Sequence, residues 1–155
     1  MGMRGIRALL AAGTIAQASV ACAEPIRYSG QNYLFASLDV PNSAAPIQAD
    51  TFVALRGGAK INIILDASTP HYDEREADCQ GGQLTYKLDR PTTFAYSCRI
   101  GDDIVYAITK YGRTYRVGAS NATEQIGYSI RYPASQKEYW DSVVARMTRT
   151  LRFAR

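Results

Sequence analysis

The sequence contains few of the side chains that enzymes use near neutral pH. Its 155 residues include one histidine, His71, and three cysteines. Because histidine is the usual acid or base at neutral pH, Ser-His and Cys-His mechanisms would depend on His71 alone. A zinc site would need more histidines or free cysteines, and the chain has neither a Gly-x-Ser-x-Gly elbow nor a Cys-x-x-Cys pair. We therefore expect no enzyme activity, no metal and no cofactor, and we interpret His71 as a solvated side chain.

The chain also lacks a strong excess of one charge. It has 18 Lys and Arg residues against 14 Asp and Glu residues, a formal net charge of +4. Two of the basic residues, Arg4 and Arg7, lie in the first 23 residues, so the rest of the chain carries only +2. This balance does not favour binding to nucleic acid. No long hydrophobic run follows residue 23, and we expect no transmembrane span in the mature protein.

Residues 1–23 have the three parts of a secretory signal peptide: a basic start, an uncharged apolar stretch and small residues at the end. Ala21 and Ala23 form an Ala-x-Ala cleavage pattern, which predicts a periplasmic or secreted protein that begins after Ala23. The alternative is a lipid anchor on Cys22. Its recognition pattern would place a leucine-like residue three positions earlier, where this chain has Ser19.

Removal of the signal peptide leaves Cys79 and Cys98, an even number of cysteines in a compartment where disulfides persist. We predict that they form a structural disulfide. With 19 positions between them, the chain-entropy model gives a stabilisation of about 3 kcal/mol. A redox pair is the alternative, but no feature of the sequence activates either thiol.

Residues 24–155 have the length of one domain. Alternating apolar residues and strand-forming composition predict several short strands that are separated by turn residues. The clearest strand covers 125–132, with one buried face, and a hairpin through Gly57-Gly58 joins 51–55 to 59–65, of which the second is expected to be a central strand. Tyr111-Gly112 is interpreted as a further reversal of the chain. The other predicted strands are 33–40, 83–87, 92–98, 104–110 and 113–117.

Two helices are expected. Ser68-Thr69-Pro70 resembles the start of a short central helix that Gly81-Gly82 would end. Ser135 and Glu138 have the spacing of a capping box at the start of a long C-terminal helix. We therefore predict an α+β fold in which an antiparallel sheet is packed by this long helix and the shorter central one, with one disulfide. The buried face of the long helix is expected to comprise Trp140, Val143, Val144, Met147 and Leu151.

Four features together resemble small exported PsbP-like domains. They are an early strand that ends in Leu-Asp-Val-Pro at 38–41, the hairpin through Gly57-Gly58, the strand end Ile-Arg-Tyr-Pro at 130–133, and the closing helix over 139–153. The last segment is also similar to other exported bacterial proteins that end in a Tyr-Pro strand, a Tyr-x-x-Val-Val helix and an Arg-Phe tail. The resemblance implies a sandwich of sheet and helices and a non-enzymatic accessory or assembly role, and it carries over no catalytic residue.

The segment 109–116 interleaves cations with tyrosines, a combination that can stack on bases or sugars or bind an anionic partner surface. The alternative is the polar tip of a hairpin with strand-forming tyrosines. If the mature protein binds through an exposed surface, this is the candidate binding patch: Lys110, Tyr111, Arg113, Tyr115 and Arg116.

A second candidate is an acidic patch at 73–78. Oxygen ligands for calcium can come from one loop, but the regular Asp-x-Asp-x-Asp-Gly spacing is absent. A solvated, charged helix face is the simplest interpretation. The acidic residues are Asp73, Glu74, Glu76 and Asp78.

Two functions remain as hypotheses. The first is a periplasmic accessory or interaction protein whose partner is an envelope protein. The second is an inhibitor or immunity protein against an envelope hydrolase such as lysozyme, since such enzymes are usually cationic and the acidic patch would face them. The sequence indicates neither the identity of the partner nor an oligomeric state.

Overall fold

The computed structural model describes residues 26–33, 35–48, 51–54, 56–68, 79 and 81–154. These residues form a small sheet, a large sheet and one α-helix, α1 (Lys137–Thr150), which follows a single 3-10 turn at Ala134–Gln136. The strands are β1 (Tyr28–Asn32), β2 (Ala36–Pro41), β3 (Ala44–Gln48), β4 (Thr51–Ala54), β5 (Lys60–Ser68), β6 (Gln83–Arg90), β7 (Thr93–Ile100), β8 (Asp103–Val117), β9 (Ser120–Pro133) and β10 (Arg152–Phe153).

All strand pairs are antiparallel, which confirms the predicted class of sheet. The large sheet has the order β3-β4-β5-β9-β8-β7-β6, and the small sheet has the order β1-β2-β10. The predicted central strand is β5, which lies between β4 and β9 and buries Ile61 and Ile63. The sequence pattern did not predict β1 or β3. The result is a mixed α+β fold that consists mostly of sheet.

The main core lies on one face of the large sheet. The buried face of β9 is the predicted one, and it packs with side chains of α1 and with the apolar face of β2. Alternation along β9 supplies this face because successive side chains of a strand point to opposite sides. The core therefore joins the helix and both sheets. Its main members are Ile126, Tyr128, Ile130 and Tyr132 of β9, Trp140, Val143 and Met147 of α1, and Ala36, Leu38 and Val40 of β2.

A second, smaller core lies on the opposite face of the sheet. Cys98 is fully buried there, and the disulfide joins it to Cys79, which confirms the predicted bridge. The bridge therefore ties Cys79, in the connection between β5 and β6, to Cys98 on β7. The buried neighbours in this second core are Phe94, Tyr96, Val105, Ala107 and Tyr111.

The prediction of a shorter central helix is not supported. Ser68, expected to cap it, is the last residue of β5 and pairs with Thr123 of β9. Long-range pairing with β9 has thus overridden the local capping preference of the serine. Residues 69–78 of the predicted helix lie outside the described residues.

The predicted chain reversal at Tyr111-Gly112 is wrong. β8 continues to Val117 through an irregularity between Tyr111 and Thr114, and the chain reverses at Gly118, whose φ is 61°. Gly112 serves a close approach instead of a turn: a Cβ at this position would lie 2.7 Å from the Phe153 ring. The Phe153 ring belongs to strand β10, and its position in that strand brings it next to Gly112. The sequence pattern had placed Phe153 at the end of the helix.

The predicted capping box is also wrong. α1 begins at Lys137, with Gln136 in the cap position and no side-chain hydrogen bond to the cap. The segment is positioned by tertiary contacts instead, because the Ala134 amide donates to the Asp102 carbonyl at 2.7 Å and Gln136 accepts from the Trp140 indole at 3.2 Å. The helix ends at Thr150 and not at Phe153.

Candidate functional site

A groove of about 570 Å³ lies between α1 and the face of the large sheet on which the helix packs. Side chains from β6, β7, β8 and β9 form its floor, and one side of α1 forms its wall. We call this feature the α1 groove. Since the floor comes from four neighbouring strands, its residues are distant in sequence and meet only through strand pairing.

The floor of the α1 groove is aromatic and apolar, with a polar end. Ile104 and Tyr106 on β8 share a face because they are two residues apart, and Tyr132 on β9 pairs directly with Ile104. Arg99 on β7 pairs with Ile104 from the other side. Tyr86 of the edge strand β6 is 47% exposed and lies at the mouth of the groove.

The wall of the groove is a stripe of α1 next to the buried stripe. Residues three, four and seven positions apart lie on one side of a helix, so they project together over the floor. The stripe combines a paired charge at one end, small apolar side chains in the middle, and a hydroxyl and a guanidinium at the other end. Its members are Lys137, Asp141, Val144, Ala145, Thr148 and Arg149.

Hydroxyl groups fix the wall to the floor. The Tyr128 hydroxyl donates to the Val144 carbonyl oxygen at 3.0 Å and lies 2.7 Å from Thr148 Oγ1. The Tyr106 hydroxyl approaches the same Thr148 oxygen at 3.4 Å. Two phenols of adjacent strands therefore meet one threonine of α1, which defines the distance between helix and sheet along the groove.

The groove carries more positive than negative charge. Lys137 pairs with Asp141, and the Tyr132 hydroxyl donates to the other oxygen of that carboxylate at 3.2 Å. Arg99 donates its Nε to the Gly101 carbonyl oxygen at 3.1 Å. Neither Arg99 nor Arg149 pairs with a carboxylate in the described part of the chain. Two guanidinium groups that line the groove therefore make no ion pair with a described residue.

Burial changes the acidity of the phenols around the groove. It raises the pKa of Tyr106, Tyr128 and Tyr132, because the charged phenolate is disfavoured away from water. The Asp141 carboxylate, as a like charge and as an acceptor from the neutral phenol, raises the pKa of Tyr132 further. These phenols remain neutral hydrogen-bond donors throughout the physiological range of pH.

The raised pKa values predict alkaline unfolding. Tyrosines of the unfolded chain ionise near pH 10, whereas Tyr106, Tyr128 and Tyr132 of the folded protein hold their protons to higher pH. Their contribution to stability is fully present below about pH 10 and is lost as the pH rises towards the folded values. Burial lowers the pKa of Lys110, so this one group acts in the opposite sense.

We expect circular dichroism to show loss of structure above about pH 10, together with a late rise in phenolate absorbance. The variant Tyr128→Phe, which lacks one of the protected phenols, should lose stability less steeply with pH. Ionisation of all tyrosines near pH 10 in a protein that keeps its circular dichroism would contradict the prediction.

The residues that line the groove include no histidine and no cysteine. Among the described residues, no group of three or more His, Cys, Asp or Glu side chains is arranged to hold a metal ion. In the same part of the chain, no helix is long and apolar enough to cross a membrane.

The structure divides the candidate binding patch. Lys110 donates its Nζ to the Leu151 carbonyl oxygen at 2.6 Å and to the Thr148 carbonyl oxygen at 3.3 Å, which satisfies the C-terminal end of α1. Tyr111 is only 8% exposed and belongs to the second core. Lys110 is therefore half-buried against the end of α1, and Tyr111 is buried in the second core.

The other three residues of the patch are exposed near the end of β8, next to the turn of the β8–β9 hairpin. They are Arg113, Tyr115 and Arg116. The Arg113 amide donates to Glu124 Oε2 at 3.2 Å, and Arg116 donates its Nε to the Gly118 carbonyl oxygen at 3.2 Å. They are not part of the α1 groove, and their role in binding stays a prediction. The acidic patch and the signal peptide lie outside the described residues.

Sequence reasoning missed the α1 groove. The only local signal was the second stripe of α1, where Lys137, Asp141 and Thr148 follow one another at helical spacing beside the buried stripe. Its counterpart on the sheet consists of single residues from four strands, and only the register of those strands brings them together.

No model of a known protein family matches this sequence, and no curated protein matches it.

Proposed function

We propose that the protein is a non-enzymatic accessory protein of the cell envelope that acts by binding, and that the α1 groove is its binding surface. The observation that carries the proposal is the combination of an apolar, aromatic floor with two guanidinium groups that no described carboxylate neutralises. Concave apolar sites with a few convergent polar groups are the usual form of ligand sites in proteins.

The disulfide supports a location outside the cytoplasm. Disulfides persist in oxidising environments such as the periplasm and the cell exterior, and Cys79–Cys98 is buried in the second core. Export through residues 1–23, with cleavage after Ala23, is part of the proposal, as is the resemblance to PsbP-like accessory domains. The inhibitor hypothesis depended on the acidic patch, and no contact of the described residues favours it.

Site-specific crosslinking in the envelope of the producing cell tests the proposal. A photoreactive amino acid replaces Ala145, an exposed residue of the groove wall, in the full-length chain. The matched control carries it at Ser142, which is exposed on the same helix but does not line the groove. Mass spectrometry then identifies the adduct and the mature N-terminus.

We expect a defined adduct at position 145, either a small molecule or a single envelope protein, that is absent at position 142. The same adducts at both positions, or none at either, would contradict binding through the groove. A mature N-terminus at a lipidated Cys22 would mean that the protein is anchored to the membrane by a lipid. That result would not contradict binding through the groove.

A further inference from the structure

The size of the α1 groove indicates the kind of occupant. Its volume of about 570 Å³ lies within the range of about 300–1,000 Å³ that is typical of small-molecule sites. Stable protein partners usually bury about 800 Å² on each side, over a broad and flatter surface. A concave trough bounded by one helix and four strands therefore suits a small molecule better than a folded partner.

The floor and the middle of the wall indicate an apolar body. Ile104 and Tyr106 form the floor beneath Val144 and Ala145, and none of these four side chains carries a charge. Tyr86 at the mouth is an exposed aromatic ring of the kind that a bound chain or ring would cover. Burial of such surface contributes about 25 cal/mol for each Å² that leaves water.

The charges around the groove indicate an anionic head group. Asp141 is already shared by Lys137 and Tyr132, so this carboxylate is not available to attract a cationic ligand. Arg99 lies at the Asp141 end of the groove, level with Ile104 and Tyr132, and donates its Nε to the Gly101 carbonyl oxygen. Arg149 lines the other end, beside Thr148, and has no described carboxylate partner. A guanidinium group binds a carboxylate in one plane through two parallel hydrogen bonds, which makes a carboxylate the complementary head.

We infer that the α1 groove binds a small amphipathic carboxylate, with its apolar body along Ile104, Tyr106 and Val144 and its head at Arg149. This inference rests on the proposed function and adds the chemical class of the ligand. The Tyr106 and Thr148 hydroxyls, which lie 3.4 Å apart, line the same end of the groove as Arg149 and provide neutral polar groups beside the head.

Calorimetry with the full mature chain tests the inference. The probe is dodecanoate, below the concentration at which it forms micelles, and the comparison ligand is the uncharged dodecanol. The test variant carries Arg149→Gln, an exposed position where folding should be unaffected. The matched control carries Arg152→Gln, an exposed arginine that does not line the groove, so that the change of net charge is the same.

We expect saturable binding of dodecanoate that is at least about tenfold weaker in the test variant and unchanged in the control variant, as the loss of charge-assisted hydrogen bonds predicts. Dodecanol should bind more weakly than dodecanoate to the native groove. Added dodecanoate should also suppress the crosslinked adduct at position 145.

Three results would overturn the inference. Equal binding of dodecanol and dodecanoate, or equal loss in the test and control variants, would refute the anionic head group. Absence of dodecanoate binding would refute the ligand class. In each case a specific adduct at position 145 would still support the groove as the binding surface, whereas loss of that adduct would refute the proposed function itself.

Discussion

Replacement of Trp140 by alanine is expected to lower the free energy of unfolding by about 3–5 kcal/mol. The indole is fully buried, packs edge-on against the Tyr139 ring with 4.9 Å between ring centroids, and lies 6.1 Å from the Tyr132 ring. Alanine leaves a cavity at the point where the helix meets the large sheet. It also removes the hydrogen bond that the indole donates to Gln136 Oε1.

The loss is large because the whole stability of a domain of this size is about 5–15 kcal/mol. Trp140 lies between Lys137 and Asp141 of the groove wall, so the same substitution should loosen the helix that carries Val144 and Arg149. We expect dodecanoate binding to weaken along with stability. This would show that the groove depends on the packing of the neighbouring, buried stripe of α1.

Urea unfolding followed by circular dichroism measures the effect, since the tryptophan fluorescence disappears with the substitution. Ser142→Ala on the exposed side of the same helix is the control, and it should change the stability by less than about 0.5 kcal/mol. A loss below about 1 kcal/mol for Trp140→Ala would mean that α1 is not held by this side chain.

Removal of the disulfide has the second large expected effect. Replacement of Cys79 and Cys98 by alanine should cost about 3 kcal/mol, because a bridge over 19 positions restricts the unfolded chain. Cys98 is also fully buried in the second core, so a small packing loss adds to this cost. Reduction of the native protein removes the bridge without removing any side chain and separates the two contributions.

The disulfide substitution should leave the ligand site largely intact. Along β7, Cys98 points to the second core, while its neighbours Ser97 and Arg99 point to the α1 groove on the opposite face. We therefore expect lower stability but unchanged dodecanoate affinity while the protein remains folded. Equal unfolding midpoints for the oxidised and reduced protein would contradict the stability prediction, and a large loss of affinity would contradict the separation of the two faces.

These two substitutions concern residues whose role was predictable from the sequence. Trp140 lies in a helical stripe with Val143 and Met147, and all three are buried. The alternation along 125–132 predicted the buried face of β9. Both predictions were correct because burial of apolar surface dominates folding. The spacing of apolar residues along the sequence shows which side of a helix or strand is buried.

Local signals failed where tertiary contacts compete with them. Serine is favoured at helix caps, but Ser68 ends β5 and pairs with Thr123 of β9. Gly112 suits a turn but lies where the Phe153 ring approaches the backbone. Each preference is worth about 1 kcal/mol, and a continuous strand ladder or a packed ring outweighs it. Lys110, which the sequence placed in the candidate binding patch with the neighbouring tyrosines, donates its ammonium group to the carbonyl groups at the end of α1.

The sequence by itself determined the antiparallel sheet, the closing helix, the disulfide and the near-balance of charge, because each depends on residue type or on spacing along one segment. Only the tertiary structure decided which polar residues meet. The α1 groove combines Arg99, Tyr106, Tyr132 and Arg149 from three strands and one helix, and their proximity depends on strand register and on the position of α1 over the sheet. Register arises from the packing of the whole core, so no local pattern could show that these residues share one site.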